Sequence, residues 1–562
     1  MSPYNRLILP VLLVSLAILA ACGGSSNPTV TPPPTGGFSN SNLSGTYVFS
    51  VTGSVSDSIS DFVTIMGVFT ADGKGNISGG VVDQNSTAPN GLIHQTAVTS
   101  GSYNIGSDGR PTGSSNLPTG LISLQTSQGT FQFDYVLTSS GHGLVTEFDN
   151  FGSASGTLDL QSTVTQGNIN GQSYAFNFTG AANASGTVIC NLNVGPTVVV
   201  APYATVGAFT LGSSGTISTG LADFNNNCSS SGLTNIPITA GSVTLGTNSG
   251  TAAITTGTGT SAVTYNFDVF PIDATHLKFI ETDSLPILVG DAFTQASSIP
   301  TGNNVYTVAG FDNSASAAGP FTAAGLIVTD GSGNITNAST EDINDAFAAS
   351  TVNGITGSYT ALTGGRAQLT FLTGFVNGNG GTACANNCIF AVYPSTGGLQ
   401  MLEIDNGGMT NGIAYAQTAT SLASGQGYGM NLSGANTTSS EDDIAEFTNN
   451  NSSFSGIIDI NQQGSTSFRN AFSANYTADS TVPGRGTVNP TKNGFLLATY
   501  VVDSATAVAV STDSSLVGLG ALVTQNASAK SNAVANHLAV LRMAPTARMK
   551  SSAKKAIPTR SN

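Results

Sequence analysis

A chain of 562 residues is longer than one hydrophobic core can organise, so three to five domains are expected. Charged residues are 8% of it, hydrophobic residues 39%, and Trp is absent; Gly, Ser, Thr and Asn fill the gap, which excludes simple disorder and large helical cores. All 30 acidic residues precede Asn526 and seven of the 15 Lys and Arg follow it, so a body of charge −22 carries a tail of +7, which argues against a nucleic-acid partner for the body.

The chain opens with one positive charge, Arg6, ahead of a fifteen-residue apolar run, 7–21. That run suits a signal peptide and is short for a membrane span, which needs about 20 apolar residues. It ends Leu19-Ala20-Ala21-Cys22-Gly23. This resembles the lipobox of bacterial lipoproteins, which implies cleavage after residue 21 and a lipid on Cys22. Gly23, where an inner-membrane retention signal would carry Asp, implies sorting to the outer membrane, facing periplasm or cell surface. Acyl chains contribute about 0.8 kcal/mol per buried CH₂, enough to hold a protein with two or more chains. Residues 22–41 are Gly-, Ser- and Pro-rich and read as a tether.

Next comes a repeat. Its opening, Gly45-Thr46-Tyr47-Val48-Phe49, returns at Gly171 to Phe178, and in weaker form at Val305-Tyr306 and Gly427-Tyr428. A Gly-rich hairpin follows in each copy, clearest at Asp72 to Asn76 and Asp330 to Asn334. Near the end stand Glu147/Asp149, Glu281/Asp283, Glu403/Asp405 and, in the fourth copy, Ser511/Asp513; each copy closes at a Gln, namely Gln161, Gln295, Gln417 and Gln525. Modules are expected over 42–161, 169–295, 303–417 and 425–525, followed by a basic flexible tail, 526–562.

Each copy holds eight short segments that alternate apolar and polar residues at period two, separated by Gly, Asn, Asp, Ser and Pro. In the first copy they fall near 45–53, 62–71, 76–85, 96–105, 119–126, 130–139, 143–149 and 153–161, with Tyr47, Phe49 and Val51 on one face. Eight sequential strands solve their edge problem best by closing, first against eighth. The expected fold class is therefore all-β, four tandem antiparallel eight-stranded up-and-down barrels, with a sandwich as the alternative. An even strand number puts both ends of a module at one rim, where modules would join. The G-x-Y-x-F opening and eight-strand layout resemble the calycin group, lipocalins and avidin-like barrels. Tyr stands where those families carry Trp, so no binding residue is implied. The whole chain also resembles predicted tandem-repeat lipoproteins of soil bacteria.

Apart from Cys22, four cysteines remain: Cys190, Cys228, Cys384 and Cys388. In an oxidising compartment they read as disulfides, and a Cys190–Cys228 bridge would close a loop of about 40 residues, contributing roughly 3–4 kcal/mol. Cys384 and Cys388 have half the look of a metal site, but no second pair or His lies near in sequence, so no metal site is expected. Glu147/Asp149, Glu281/Asp283 and Glu403/Asp405 put two carboxylates on one strand face, able to hold a cation or sugar hydroxyls, or to act as a structural latch. If they point inward, at least one should be protonated or cation-bound. His142 and His276 share a repeat position, held by Gly398 and Thr506 in the other copies, and read as turn residues. The Asp72 and Asp330 hairpins faintly resemble calcium loops but lack the alternating ligands, so Gly-rich turns explain them better. The sequence carries no H-E-x-x-H, G-x-S-x-G or phosphate-binding loop. The expectation is a non-enzymatic, lipid-anchored envelope protein for surface interaction or adhesion, without cofactor, whose partners are the membrane and a glycan, matrix or envelope protein. The alternatives are small-molecule or glycan binding in lumens of about 300 Å³ lined by residues such as Tyr47, Phe49, Phe69 and Phe133, and, last, a secreted hydrolase.

Overall fold

The computed structural model describes residues 37–529 apart from 56–57, 89–90, 115–116, 184–199, 226–232, 284–285, 313–318, 377–387 and 406–407. The leader, Cys22, most of the tether, Cys190, Cys228, Cys384 and the basic segment from 530 fall outside the described residues. No helix among the described residues is long and apolar enough to cross a membrane.

The chain forms four closed eight-stranded up-and-down barrels, and closure rules out the sandwich. The first runs from Ser44–Val55 to Gly152–Leu160, the second from Ser173–Asn183 to Ile287–Thr294, the third from Gly302–Asp312 to Gly408–Ala416 and the fourth from Gly427–Ala435 to Val517–Thr524. First and eighth strands pair in every case, as at Tyr47↔Leu160, Tyr174↔Thr294, Tyr306↔Ala414 and Tyr428↔Thr524. In the first barrel the fourth strand is broken into Ile93–Ala97 and Ser100–Ser102, both paired to the third.

Period-two alternation sends Tyr47, Phe49 and Val51 into the first core, and Phe176 and Phe178 into the second. Gly67, Gly207 and Gly325 on the second strands lie under Phe49, Phe176 and Tyr306: a Cβ on Gly207 would stand 2.4 Å from the Phe176 ring. Each glycine therefore makes room for an aromatic ring to cross the neighbouring strand, and this sets Tyr306 in the place of Phe49 rather than of Tyr47.

The outer walls are also buried, because the barrels pack side by side. Val48, Phe62, Met66 and Val68 of the first meet Phe270, Ile280 and Val289 of the second. Ala204 and Val206 of the second meet Leu402 and Met409 of the third. Val305, Leu326 and Ile413 of the third meet Tyr500, Val508 and Leu519 of the fourth. The fourth returns to the first, Ile444 against Val136 and Leu144, and Phe468 edge-on to Phe148 with ring centroids 6.0 Å apart. Modules joined only at their rims would not do this; they form a closed ring of walls. The low charge of the chain follows, since an outer wall facing another barrel cannot carry Lys and Glu as a solvated sheet face does.

Candidate functional site

The recurring polar chemistry sits between barrels, and its source is the third strand. Asn76–Ser86, Ile217–Asn225, Asn334–Asp345 and Ser453–Gln462 each carry an Asp-x-Asn: Asp83 and Asn85, Asp223 and Asn225, Asp342 and Asn344, Asp459 and Asn461. Residues i and i+2 share a face, here the outer one, while Phe224 and Ile343 between them enter the cores.

Every one of these asparagines donates its side-chain amide to backbone carbonyls of the next barrel. Asn85 reaches Glu281 and Asp283 at 2.7 and 2.9 Å, and Asn225 reaches Glu403 and Gly408 at 2.8 and 3.0 Å. Asn344 reaches Ser511, Asp513 and Leu516, and Asn461 returns to Glu147 and Gly152 of the first barrel. The closing glutamines make a second contact in the same direction. Gln161 bonds to Asn248 and Pro271, Gln417 to Pro483 and Val501, and Gln525 to Asp108 and Leu137, each donating to carbonyls of the following barrel.

The Glu-x-Asp landmarks are thus receptors for the asparagine, through main-chain oxygen. Glu147, Glu281 and Glu403 are the last residues of their seventh strands and are buried; Asp149, Asp283 and Asp405 lie beyond the strand end. There they accept backbone N–H groups, from Phe151 at 2.8 Å, Asn266 at 2.9 Å and Ile389 at 2.7 Å. Burial, reinforced by Asp283, pushes the Glu281 carboxyl up to about 10, and burial with Asp405 raises Glu403 likewise. Glu281 is thereby a neutral acid at pH 7.

All four aspartates of the motif are buried, and three of them take a cation from the next barrel. Asp223 receives the Arg366 guanidinium in two bonds, 2.8 and 3.0 Å, and the Tyr393 hydroxyl at 2.6 Å. Asp342 receives Arg485 in two bonds of 2.7 Å and the Tyr500 hydroxyl at 2.6 Å. Asp459 binds Arg110, which is fully buried and also faces Asp134 at 3.7 Å. Gln95, Asn235 and Arg469, all at positive φ, aim backbone N–H groups at Asp83, Asp223 and Asp459. These left-handed non-glycine residues are held by that bond.

The interface between first and second barrels departs from this pattern. Following strand register, Ser249 stands where Arg366 and Arg485 stand, and Phe270 where Tyr393 and Tyr500 stand. Asp83 instead meets a second carboxylate, Asp268, with His94 Nε2 2.8 Å from Asp268 Oδ2. Burial and then the Asp268 charge push Asp83 up to about 8. Asp83 and His94 lie on the paired third and fourth strands of the first barrel, and the ring brings Asp268 of the second to them.

His142 and His276 correct the expectation of turn residues. Each opens a seventh strand and is buried, His142 Nδ1 2.7 Å from Asp159 and His276 Nε2 2.6 Å from Asp291. Lys278 lies 2.9 Å from Asp291 and 3.8 Å from Asp159 of the first barrel, so the cluster straddles the same interface. Burial alone would raise Asp159, but His142, Lys278 and His276 outweigh it and hold it below the usual carboxylate range. Asp72 and Asp330 are spent on their own hairpins, each accepting two backbone N–H groups and an Asn amide, and those bonds hold Asp72 down at about 2. Cys388 is disulfide-bonded; the other cysteines lie outside the described residues, so the expected pairings are not seen in them.

Among the described residues, aromatic side chains fill the lumen of the first barrel and most of that of the second. Tyr47, Phe49, Phe69 and Phe133 are at most 2% exposed and contact one another, with Phe49 and Phe133 centroids 5.0 Å apart. A cavity in the second barrel, bounded by Phe176, Phe178, Phe224 and Tyr265, has about 10 Å³, room for one water. A larger hollow, about 280 Å³, lies outside the lumens between fourth and first barrels, lined by Thr138, Gln426, Ser504 and Gln525.

Fold and site together define the chain as an all-β protein of four closed up-and-down barrels, docked in a ring by a repeated Asp-x-Asn. No family model matches the chain, and no curated protein does. Among solved structures it is similar to the vaccine antigen transferrin binding protein B from Haemophilus parasuis Hp5, at 10% identity over 67% of this chain and 83% of that one, with a TM-score of 0.17.

Proposed function

We propose that this is a lipid-anchored outer-membrane protein that works by surface interaction and not by catalysis. The observation that carries the reading is the packed lumen: rings that fill the first barrel and a one-water cavity in the second leave rims and loops as the working surface. The seven-residue positive excess after residue 525 supports a membrane location. Asn42 donates to the Ala527 carbonyl at 2.8 Å, so the segments before and after the body leave it from one place. A lipid on Cys22 and Lys/Arg side chains against anionic headgroups would then act on the same side. The cysteines are proposed to be disulfide-bonded among themselves, shaping rim loops.

A second reading, a neutral polar ligand such as a glycan, rests on the 280 Å³ hollow and its amide and hydroxyl lining. The test is a deletion strain complemented with wild type or Cys22→Ala. Loss of attachment to glycan- or matrix-coated surfaces in the deletion, restored only by the lipidated form, supports the proposal. Unchanged attachment, together with turnover of a substrate by the purified protein, refutes it.

A further inference from the structure

Four sister interfaces, three of them closed by an arginine, make the fourth informative. Where the fourth barrel meets the first, two buried carboxylates, Asp459 and Asp134, face each other and the Arg110 guanidinium sits with them. Asp83 and Asp268 are the same pair by repeat position: Asp83 matches Asp459 in the motif, and Asp268 and Asp134 each pair one residue before the terminal Glu of the seventh strand. Among the described residues no arginine reaches them, and Ser249 cannot supply a charge.

We infer that Asp83, His94 and Asp268 bind a divalent transition-metal ion, which takes the place of the missing arginine and ties the first barrel to the second. Their ligand atoms all lie within 4.8 Å of one another. Asp268, 1% exposed, has an Oδ2 that accepts no hydrogen bond even though His94 Nε2 is 2.8 Å away. The pair is thus an ion-pair contact without hydrogen-bond geometry, a spacing that two ligands of one centre also take. Zn–N and Zn–O bonds are about 2.0–2.2 Å, within reach after a small adjustment of His94, whose side chain is 53% exposed and gives the ion a route in. One imidazole and two carboxylates suit Zn²⁺, with water in the remaining position. The ligands come from both barrels, two from the first and one from the second, so binding would stabilise the docked state over any separated one.

The test uses the full chain, stripped with chelator and titrated with Zn²⁺ alone by calorimetry, with Co²⁺ absorption as a second readout. One ion per chain is expected, with visible Co²⁺ bands and a Tm several degrees higher with metal than with chelator. Asp268→Asn and His94→Gln should each weaken binding at least tenfold and remove the Tm shift. His94 is exposed enough that its variant keeps the test intact should Asp268→Asn fail to fold. His142→Gln, at the other buried cluster of that interface, should leave Zn²⁺ binding unchanged. Absence of saturable Zn²⁺ binding by the wild type, or binding retained in both ligand variants, overturns the inference.

Discussion

At residue scale the ring depends on charges kept dry. The Arg366–Asp223 pair is buried and bidentate, with the Tyr393 hydroxyl on the same carboxylate. Such a pair contributes little net stability against an apolar replacement, but losing one member strands the other. Arg366→Ala should therefore cost about 3–5 kcal/mol, read as a lower denaturant midpoint, and Arg366→Leu combined with Asp223→Leu should recover most of it. A single variant as stable as wild type would contradict this. Buried neutral acids give a second expectation. Burial pushes Glu341 up to about 8 although the Tyr306 hydroxyl and the Val376 N–H both favour its ionised form, and Asp342 adds to the rise. In the unfolded chain the same group ionises near 4.5. Between those values the native state holds a proton that the unfolded state has released, so stability falls as pH rises from about 4.5 to about 8. Carboxylates held low, such as Asp72 at about 2, act in the opposite sense and only in acid. Tm should drop between pH 5 and 8, and Glu341→Gln should flatten the slope; an unchanged slope would assign the drop to other groups.

At the scale of elements, the third strand is the docking edge of each barrel. Asn344 holds three carbonyls of the fourth barrel; that of Leu516 keeps the Ser511 hydroxyl as a second donor at 2.8 Å, while that of Ser511 is buried with the asparagine. Asn344→Ala should destabilise by about 1–3 kcal/mol, measured by the same denaturant titration, through carbonyls that lose that donor. Ser249→Arg makes the complementary case: it restores to the first interface the cation of its sisters, and should raise the chelator-treated Tm. Much of this was legible in the sequence. Eight alternating segments, hairpin glycines and a first-to-eighth closure are local consequences of pleat and turn chemistry, and Tyr47, Phe49 and Val51 share a face because side chains alternate. The landmarks were legible as landmarks, but their purpose was not. The carbonyls of Glu147, Glu281, Glu403 and, in the fourth barrel, Ser511 each meet an asparagine from another barrel, and a carbonyl has no sequence signature. Asp-x-Asn itself recurs in all four copies, more evenly than Glu-x-Asp, and alignment of the copies on their third strands would have found it. His142 looked like a turn residue because its partner, Asp159, is set by sheet register and not by proximity along the chain.

At the scale of the whole molecule, the four interfaces point the same way round: the third strand of each barrel grips the seventh-strand end of the next. A head-to-tail interface propagates without limit unless its rotation closes, and here it closes after four copies on a single chain. Closure has an energetic consequence that a linear array lacks. In a row of repeats the end modules each lose one neighbour and can open alone, whereas in a ring no barrel is terminal. Opening any barrel breaks two interfaces, each with its apolar wall and asparagine contact. Scanning calorimetry of the full body should therefore show one cooperative transition rather than four, and Arg366→Ala and Asn461→Ala, at interfaces far apart in sequence, should lower that same transition. Ending the chain after Gln417 should be worse than either. It bares the third-barrel wall of Val305, Leu326 and Ile413 and the first-barrel wall of Val136 and Leu144, and it takes Arg485 from Asp342 and Asp459 from Arg110. That truncated form should aggregate or melt well below the full body. If it instead melted at the full-body temperature as a monomer, the barrels would be independent units, and the closing contacts from Asn461 and Gln525 to the first barrel would contribute nothing to stability.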